Sequence, residues 1–291
     1  MPELPEVETI VRDLKQKIRN CEVVDFWTDW PKSIKINLED FKKGIAGRKI
    51  NEVKRKAKNI IVSFDDGQKM LIHLKMTGHL LLKKKDCKKT GYFNDRVNQY
   101  IHHIWYLKSP NCPSNFEYDY TLEFSDMRKF GKIKLLNKEE KDKDLEALGI
   151  EPLSKEFNLD KFKNLVSRKK KSNIKTFLLD QNIIAGIGNI YACEILFKAG
   201  IDPGRNTGSL KEKELEKLHH SIQEILQKAI KYRGTSDSDY RDTAGAPGGF
   251  QKILKVYNKE GEKCPNEKCQ SKIERTKIGQ RGTYWCPGCQ E

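Results

Sequence analysis

Four cysteines near the carboxyl end constrain the fold of this chain more than any other feature of its sequence. Cys264 and Cys269 are separated by four residues, and sixteen residues lie between this pair and the next. Cys286 and Cys289 are separated by two residues. Two close pairs on turns, joined by a hairpin, can place four thiolates tetrahedrally around Zn²⁺. Four unrelated buried thiols are a poor alternative, because so short a segment has little core. The spacing predicts one structural zinc in a β-hairpin, with no open position for catalysis.

The charge balance narrows the class of partner. The chain has 56 Lys and Arg against 41 Asp and Glu, a net charge of +15. A polyanion would relieve the self-repulsion of so much positive charge, so nucleic acid is the favoured partner. An anionic membrane surface, or no such partner at all, stays an alternative. With no run of about 18 apolar residues and no signal peptide, we expect a cytoplasmic protein without a membrane partner. Eight cysteines in that compartment favour metal ligands or free thiols over disulfides.

Hydrophobic periodicity predicts that the amino-terminal half is rich in β-structure. Residues 6–18 carry apolar side chains at helical spacing. From about residue 22 to residue 136 the pattern changes to short alternating segments, with a hairpin turn at Asp66-Gly67. We therefore expect an antiparallel β-sandwich with one helix laid against it.

The carboxyl-terminal half has a helical pattern. A charged stretch at 137–144 begins a linker, and an apolar stripe at 215–229 has helical spacing. Residues 233–249 are rich in Gly, Ser and Asp, which predicts a mobile loop too polar to pack. The predicted fold class is α+β. Its expected parts are a β-sandwich domain (1–145), a hinge (146–153), a helical domain that includes the loop (154–250) and a zinc-finger hairpin (251–291).

The amino terminus, MPELPEVE, has two interpretations. By itself it is an acidic first helical turn, which the helix dipole stabilises. If Met1 is removed, Pro2 presents a secondary α-amine, which is far less basic than a lysine amine and partly neutral at physiological pH. Attack of that amine on C1′ of a deoxyribose gives an iminium ion, which acidifies the C2′ hydrogen and permits elimination of the 3′ phosphate. Glu3 is placed to act as general acid and base.

These residues resemble the amino-terminal signature of the formamidopyrimidine-DNA glycosylase family. The resemblance extends over the whole chain in matching order. The further matching motifs are RKAKN at 55–59, HLKMTG at 73–78 (intercalation), DMRKFG at 126–131 (wedge loop), LGIEPL at 148–153 (hinge), AGIGNIYA at 185–192 (helix–two-turn–helix) and the zinc hairpin.

The resemblance implies a bifunctional enzyme of base excision repair that acts, as a monomer, on double-stranded DNA containing damaged bases. It implies that Pro2 and Glu3 perform the glycosylase and lyase chemistry that removes oxidised purines. It gives Lys58 the role of the family's catalytic lysine. It also implies that Arg281 grips a phosphate beside Pro2 and assists the second, δ elimination.

Three residues match the family's gap-filling trio: Met76, Arg128 and Phe130. A base inside a duplex must be extruded before it can be attacked, and the gap must then be filled. Arg128 would address the orphaned cytosine, and Phe130 would wedge between base pairs. Without the resemblance, Met76 and Phe130 would more often be core residues, and Arg128 a surface charge.

Four further DNA contacts are implied, each with a plainer alternative. His73 and His102 could instead be strand histidines satisfied by hydrogen bonds. Lys170 could belong to a solvated basic face, and Asn189 could be an ordinary helix cap. The resemblance also implies that the loop at 235–249 closes over the flipped base. The plainer alternative is an inert surface loop.

The chain departs from the family pattern at three places. The first cysteine pair is spaced by four residues where two are usual. The segment between the intercalation motif and the wedge loop is longer, including 86–114, and we interpret its Cys87 and Cys112 as stray thiols rather than a second metal site. The family's His-x-His strand is only partly kept at 100–103.

Two other functions stay open from the sequence. One is an enzyme resembling endonuclease VIII that removes oxidised pyrimidines; Leu4, Val7 and the Arg128–Phe130 loop argue against it. The other is a zinc-containing DNA-binding protein without catalysis. The presence of Pro2, Glu3 and Lys58 together argues against that alternative.

Overall fold

A computed structural model of the chain describes residues 1–85 and 91–291. Cys87 and the first part of the predicted insertion lie outside the described residues. The chain divides into two compact units, Met1–Glu146 with Tyr232–Gln251, and Ala147–Lys231 with Lys252–Glu291. The expected domain boundaries at 145, 153 and 250 stay predictions. The two compact units differ from the expected domains in one respect, because Tyr232–Gln251 belongs to the β-rich unit and not to the helical one.

The first unit is built from two antiparallel four-stranded sheets, with strand orders β1-β6-β7-β5 and β2-β3-β4-β8. Its helices and strands are α1 (Leu4–Lys17), β1 (Glu22–Thr28), α2 (Leu38–Ile45), β2 (Ile50–Lys56), β3 (Asn59–Phe64), β4 (Lys69–His73), β5 (His79–Lys84), β6 (Ile101–Lys108), β7 (Tyr120–Ser125), β8 (Lys132–Leu136) and α3 (Lys143–Glu146). Buried side chains of both sheets form one apolar cluster. The expected antiparallel sandwich is confirmed.

Two helices lie against this cluster, where the sequence predicted one. The apolar face of α1 is buried as expected, with Val7, Ile10 and Leu14 fully inaccessible. Helix α2 is capped by Asn37, whose side chain accepts a hydrogen bond from Glu39 N, and it buries two apolar residues. At eight residues α2 is too short to show a clear period.

The polar segment Tyr232–Gln251 packs against the sandwich, so the expectation that it is too polar to pack is wrong. Tyr240 is 5% exposed and belongs to the same apolar cluster. The Arg233 guanidinium bridges Asp13 of α1, at 2.6 Å, and Asp242, at 2.8 Å. A polar segment can pack when its charged and hydrogen-bonding groups satisfy one another, as they do here.

The second unit is mainly helical and ends in a two-stranded antiparallel hairpin. Its elements are α4 (Leu159–Ser167), α5 (Ile174–Leu179), α6 (Asn189–Ala199), α7 (Glu212–Lys231), β9 (Glu274–Ile278) and β10 (Arg281–Trp285). Helix α6 packs against α7 and β10. The predicted helix at 215–229 is confirmed by the buried stripe of α7. Among the described residues, no helix combines the length and apolar character needed to cross a bilayer.

Candidate active site and nucleic-acid interface

The amino-terminal turn is held by one buried carboxylate. Pro2 is buried, and Glu3 and Glu6 are 2% and 0% exposed. Glu6 Oε2 accepts a hydrogen bond from Glu3 N at 2.7 Å, the capping-box arrangement at the start of α1. Glu6 Oε1 accepts from Thr235 N, also at 2.7 Å. Glu6 therefore fixes the backbone beside Pro2 and ties it to the segment Tyr232–Gln251.

Sequence reasoning assigned no role to Glu6. A signal was available, because a glutamate three residues after the residue that precedes a helix is the capping-box pattern. The second contact, to Thr235, joins residues far apart in the chain and had no local signal.

Lys58 lies in the two-residue turn between β2 and β3 and is 7% exposed. A lysine this buried is uncommon. Its neighbour Ala57 has φ of +53°, and the Ala57 carbonyl accepts a hydrogen bond from Arg55 Nη1 at 3.1 Å. Arg55 Nε also donates to Glu8 of α1 at 2.8 Å. This ion pair anchors the Lys58 turn to the same helix whose first turn presents Pro2 and Glu3.

His73, at the end of β4, is a neutral hydrogen-bonding group. Its Nδ1 accepts from Lys75 N at 3.0 Å, which leaves the proton on Nε2. Burial, followed by the charges of Lys75, Lys58 and Lys132, lowers the pKa of His73 from 6.5 to about 4. At neutral pH His73 can thus donate to a phosphate oxygen through Nε2 without carrying a charge.

The predicted gap-filling residues form one exposed cluster. Met76 is 42% exposed and Phe130 is 47% exposed. Arg128 Nη1 lies 3.3 Å from Met76 Sδ, and its guanidinium carbon lies 4.7 Å from the Phe130 ring centre. The alternative that Met76 and Phe130 are core residues is therefore wrong. Two large apolar side chains around an arginine form a surface suited to a partner.

Asp126 shapes the loop that carries this cluster. It is 1% exposed, and its Oδ2 accepts from Phe130 N and Gly131 N, both at 2.8 Å. Its Oδ1 accepts from the Thr77 hydroxyl, next to Met76. A Cβ on Gly131 would lie 2.4 Å from the Phe124 ring, so this position needs glycine. Asp126 belongs to the DMRKFG motif, but the resemblance predicts no role for it.

Strained backbone marks the predicted site residues. Seven described non-glycine residues have positive φ, and four of them directly precede a predicted site residue. These four are Ala57 before Lys58, Lys75 before Met76, Lys129 before Phe130 and Gln280 before Arg281. Such conformations cost of order 1–3 kcal/mol each and cluster at functional sites. The four turns that aim these side chains are thus held by their surroundings.

His102 lies in a different environment. It is 8% exposed, and its Nδ1 pairs with Asp29 Oδ1 at 2.8 Å. The adjacent His103 is fully buried and hydrogen bonded to Thr28 and Ser33. These contacts favour the alternative of a satisfied strand histidine, and a DNA contact by His102 stays a prediction.

In the second unit, Asn189 begins α6 and supports the hairpin that carries Arg281. Asn189 Nδ2 donates to the Gly282 carbonyl at 3.0 Å. The same carbonyl accepts from Lys175 Nζ at 3.1 Å. Arg281 is exposed, directly after a turn in which Gly279 and Gln280 both have positive φ. A side chain on a supported hairpin tip can reach a phosphate with little loss of conformational freedom.

Lys170 is exposed in the basic run 168–171, which follows α4. Its backbone carbonyl accepts from Gly208 N at 2.9 Å. The backbone is therefore fixed while the charge faces solvent. This placement fits a phosphate contact and a solvated face equally well.

The four carboxyl-terminal cysteines fit zinc. Their sulfur atoms all lie within 4.8 Å of one another. Cys264 and Cys289 sulfurs are 3.6 Å apart, as are those of Cys269 and Cys286. Sulfurs bound to zinc at about 2.3 Å in a tetrahedron are roughly 3.8 Å apart, whereas a disulfide requires about 2.05 Å. The predicted single structural zinc is confirmed.

Three family models cover most of the chain. The formamidopyrimidine-DNA glycosylase N-terminal domain matches residues 1–133, and the H2TH domain of the same enzymes matches residues 148–240. A zinc finger found in FPG and IleRS matches residues 261–291.

Full-length relatives agree with these matches. The formamidopyrimidine-DNA glycosylase of Pelotomaculum thermopropionicum is 38% identical, over 100% of this chain and 99% of the relative. A Lactococcus lactis FPG mutant solved with a Fapy-dG containing DNA is 34% identical, with a TM-score of 0.83 and complete coverage of both chains. The MutM (FPG) protein of Thermus thermophilus is 33% identical, with a TM-score of 0.82, over 99% and 98% of the two chains.

The fold and the zinc site are those of a DNA glycosylase of base excision repair. The chain belongs to the formamidopyrimidine-DNA glycosylase family, in which glycosylase and abasic-site lyase activities occur together.

Proposed function

We propose that this chain removes 8-oxoguanine and formamidopyrimidines from double-stranded DNA and then cleaves the strand by β,δ-elimination. The observation that carries the proposal is the buried turn in which Glu6 holds the backbone of Glu3 beside Pro2. A relative of the same fold, from Lactococcus lactis, has been solved with a Fapy-dG containing DNA. Because the substrate is chromosomal DNA, we place this bacterial-type enzyme in the cytoplasm.

The chemistry begins with the amine of Pro2 after removal of Met1. The nitrogen forms a bond to C1′ as the bond from C1′ to the damaged base breaks, and the base leaves with that electron pair and takes up the proton that the Pro2 nitrogen then loses. Glu3 donates a proton to the sugar ring oxygen when the C1′–O4′ bond opens, which gives an iminium ion. The iminium withdraws electrons from C2′, so loss of a C2′ proton expels the 3′ phosphate.

Cationic and neutral donors would hold the phosphates. In the first unit these are Lys58 and the Nε2 proton of His73, and in the second unit the donor is Arg281. Arg281 also assists the δ elimination. Lys170 and Asn189 add backbone contacts, which set the register of the duplex without reading its sequence. The zinc holds the β9–β10 hairpin that carries Arg281, and no chemical step requires the metal.

Met76, Arg128 and Phe130 would fill the gap left by the flipped nucleotide. A thioether adapts to an irregular hole, and an aromatic ring can wedge between base pairs. The Arg128 guanidinium has a donor fork that matches O2 and N3 of an unpaired cytosine. The enzyme therefore prefers lesions opposite cytosine.

Oxidised pyrimidines are a second candidate substrate class. Wild-type Lactococcus lactis Fpg, 33% identical with a TM-score of 0.82, has been solved with an oxidised pyrimidine containing DNA. The test is single-turnover cleavage of duplexes containing 8-oxoguanine, formamidopyrimidine or thymine glycol. We expect the two purine lesions to be cut faster. Faster cleavage of thymine glycol would indicate an enzyme resembling endonuclease VIII. No cleavage of any duplex would indicate a DNA-binding protein without catalysis.

A further inference from the structure

The segment Tyr232–Gln251, which we call the capping loop, is attached to the first unit by Asp13 and by two further sets of contacts. Its early residues contact the amino-terminal turn, where Thr235 N donates to Glu6. Its later residues contact residues 91–99, which lie in the segment that the resemblance predicts to be longer than usual. This second set of contacts has no role in the mechanism above.

An ion pair makes the first contact with residues 91–99. Asp95 Oδ2 accepts from Nε and Nη2 of Arg241, at 3.0 and 2.8 Å. The side chains are 31% and 12% exposed, so water only partly screens the pair. Asp95 Oδ1 accepts from Val97 N at 3.2 Å, which fixes the carboxylate on its own turn. Asp95 thus presents a pre-oriented anion to the capping loop.

A buried asparagine makes the second contact. Asn98 is 1% exposed, and its Nδ2 donates to the carbonyls of Tyr92, at 2.7 Å, and Gly245, at 3.1 Å. Its Oδ1 lies 2.8 Å from His79 Nε2. With both amide protons used on carbonyls, the amide orientation is determined, and His79 donates from Nε2. Asn98 therefore connects residues 91–99, strand β5 and the capping loop through one side chain.

The backbone of the capping loop is fitted to this contact. Gly245 has φ of +78°, and a Cβ there would lie 2.7 Å from Asn98 Nδ2. Two residues earlier, the Thr243 carbonyl accepts from Leu82 N of β5 at 2.8 Å. The later part of the loop is thus held on a fixed frame, while its exposed residues Asp237 and Ser238 lie between the two attachments.

We propose that residues 91–99 brace the capping loop for base excision, with Asp95 and Asn98 as positioning residues. The inference rests on the proposed function, because it assumes that the loop retains a flipped base during attack at C1′. Without the contacts of Asp95 and Asn98, the part of the loop around Arg241 and Gly245 would sample more positions, and these would hold the base less well. Cleavage of a preformed abasic site needs no such hold, since no base is present.

The test is single-turnover cleavage by full-length Asp95→Ala enzyme on two duplexes, one with 8-oxoguanine and one with an abasic site. We expect excision of 8-oxoguanine to slow by roughly fivefold, the upper range for a partly exposed ion pair. Cleavage of the abasic site stays at the wild-type rate and so also reports that the variant is folded. Arg241→Ala gives the same result, and the double variant is no slower than either single variant.

Asp66→Ala is the matched control. Asp66 is likewise paired with an arginine, with its Oδ2 3.0 Å from Arg48 Nε, and its Oδ1 accepts from a backbone N–H two residues on, but it lies in the β3–β4 turn. Both rates stay at wild type in this variant. Gly245→Ala, which displaces Asn98, slows excision selectively. If Asp95→Ala excises 8-oxoguanine at the wild-type rate, or cleaves both duplexes equally slowly, residues 91–99 do not brace the capping loop. A wild-type enzyme that cleaves neither duplex overturns the proposed function instead.

Discussion

The amino-terminal turn and the carboxyl-terminal hairpin present their charged groups in opposite ways. Glu3 in the amino-terminal turn and Lys58 in the turn anchored beside it are 2% and 7% exposed. Lys277 and Arg281, around the hairpin turn, are both exposed. Charged groups that are buried need fixed partners, which suits groups that must meet one reacting carbon. Exposed cations attract phosphate from solution with a strength that depends on salt. Changes in the turn should therefore stop base excision, whereas changes in the hairpin should lower affinity and slow only the later δ elimination.

Glu3→Gln should give the largest difference between the effect on the rate of reaction and the effect on DNA affinity. The substitution keeps the size of the side chain but removes its proton-transfer capacity. We expect the single-turnover rate on 8-oxoguanine to fall by about 10²–10⁴-fold, the usual contribution of general acid–base catalysis. Affinity for a duplex with an abasic-site analogue should not fall, because no cation is lost. Glu22→Gln on β1 is the control. A loss of affinity as large as the loss of rate would contradict the assignment of the amino-terminal turn to chemistry.

Cys269→Ser should have the next largest effect, which is on DNA affinity rather than on the rate of the chemical step. Structural zinc contributes much of the folding free energy of so small a hairpin. The variant should lose its zinc and most of its DNA affinity while the β-sandwich stays folded, as metal analysis, titration and circular dichroism would report. Cys112→Ser, a cysteine far from the zinc site in sequence, should behave as wild type. Normal DNA affinity without zinc would contradict this role of the hairpin.

Arg128→Ala should change substrate choice. Cytosine offers acceptors at O2 and N3, whereas adenine presents an amine that repels a donor fork. The wild-type enzyme should favour 8-oxoguanine opposite cytosine over adenine by about 1–3 kcal/mol, the scale of one bidentate base contact. The variant should be slower overall and lose most of that preference. Single-turnover rates on both duplexes provide the measurement, with Arg19→Ala as control. An unchanged ratio would show that another residue reads the opposite base.

Lys170→Ala and Arg281→Ala should have the smallest effects, visible in salt dependence. Each neutralised phosphate contributes about −0.9 to the slope of log affinity against log salt. Each variant should therefore make the slope shallower by about one unit or less. Lys213→Ala, an exposed lysine of α7, is the control. Affinity that does not respond to salt in the wild-type enzyme would exclude an interface dominated by phosphate.

Features with a local pattern could be predicted from the sequence. The cysteine spacing predicted a four-sulfur site because a zinc ligand set needs only two close pairs on turns. Helix α1 and the strands followed from periodicity, since each has one buried face. The gap-filling trio was found only through the resemblance, because an exposed Met76 has no periodic signature.

Features that depend on distant polar partners could not be predicted. The segment Tyr232–Gln251 looked unable to pack because its composition is polar, yet Arg233 and Thr243 share the carboxylate of Asp13 across more than 200 residues. Asp126 looked like an ordinary motif residue, although it organises the wedge loop. Periodicity records burial of apolar faces and carries no information on which charges meet.

The claim that the buried turn presents the nucleophile is tested most directly by borohydride trapping on duplex DNA with one 8-oxoguanine. A secondary amine at Pro2 forms an iminium ion that borohydride reduces to a stable protein–DNA adduct. Enzyme that begins at Pro2 should be trapped in good yield, and the same chain with Met1 retained should give no adduct, because its Pro2 nitrogen is an amide. Full trapping of the chain that retains Met1 would contradict the assignment of Pro2.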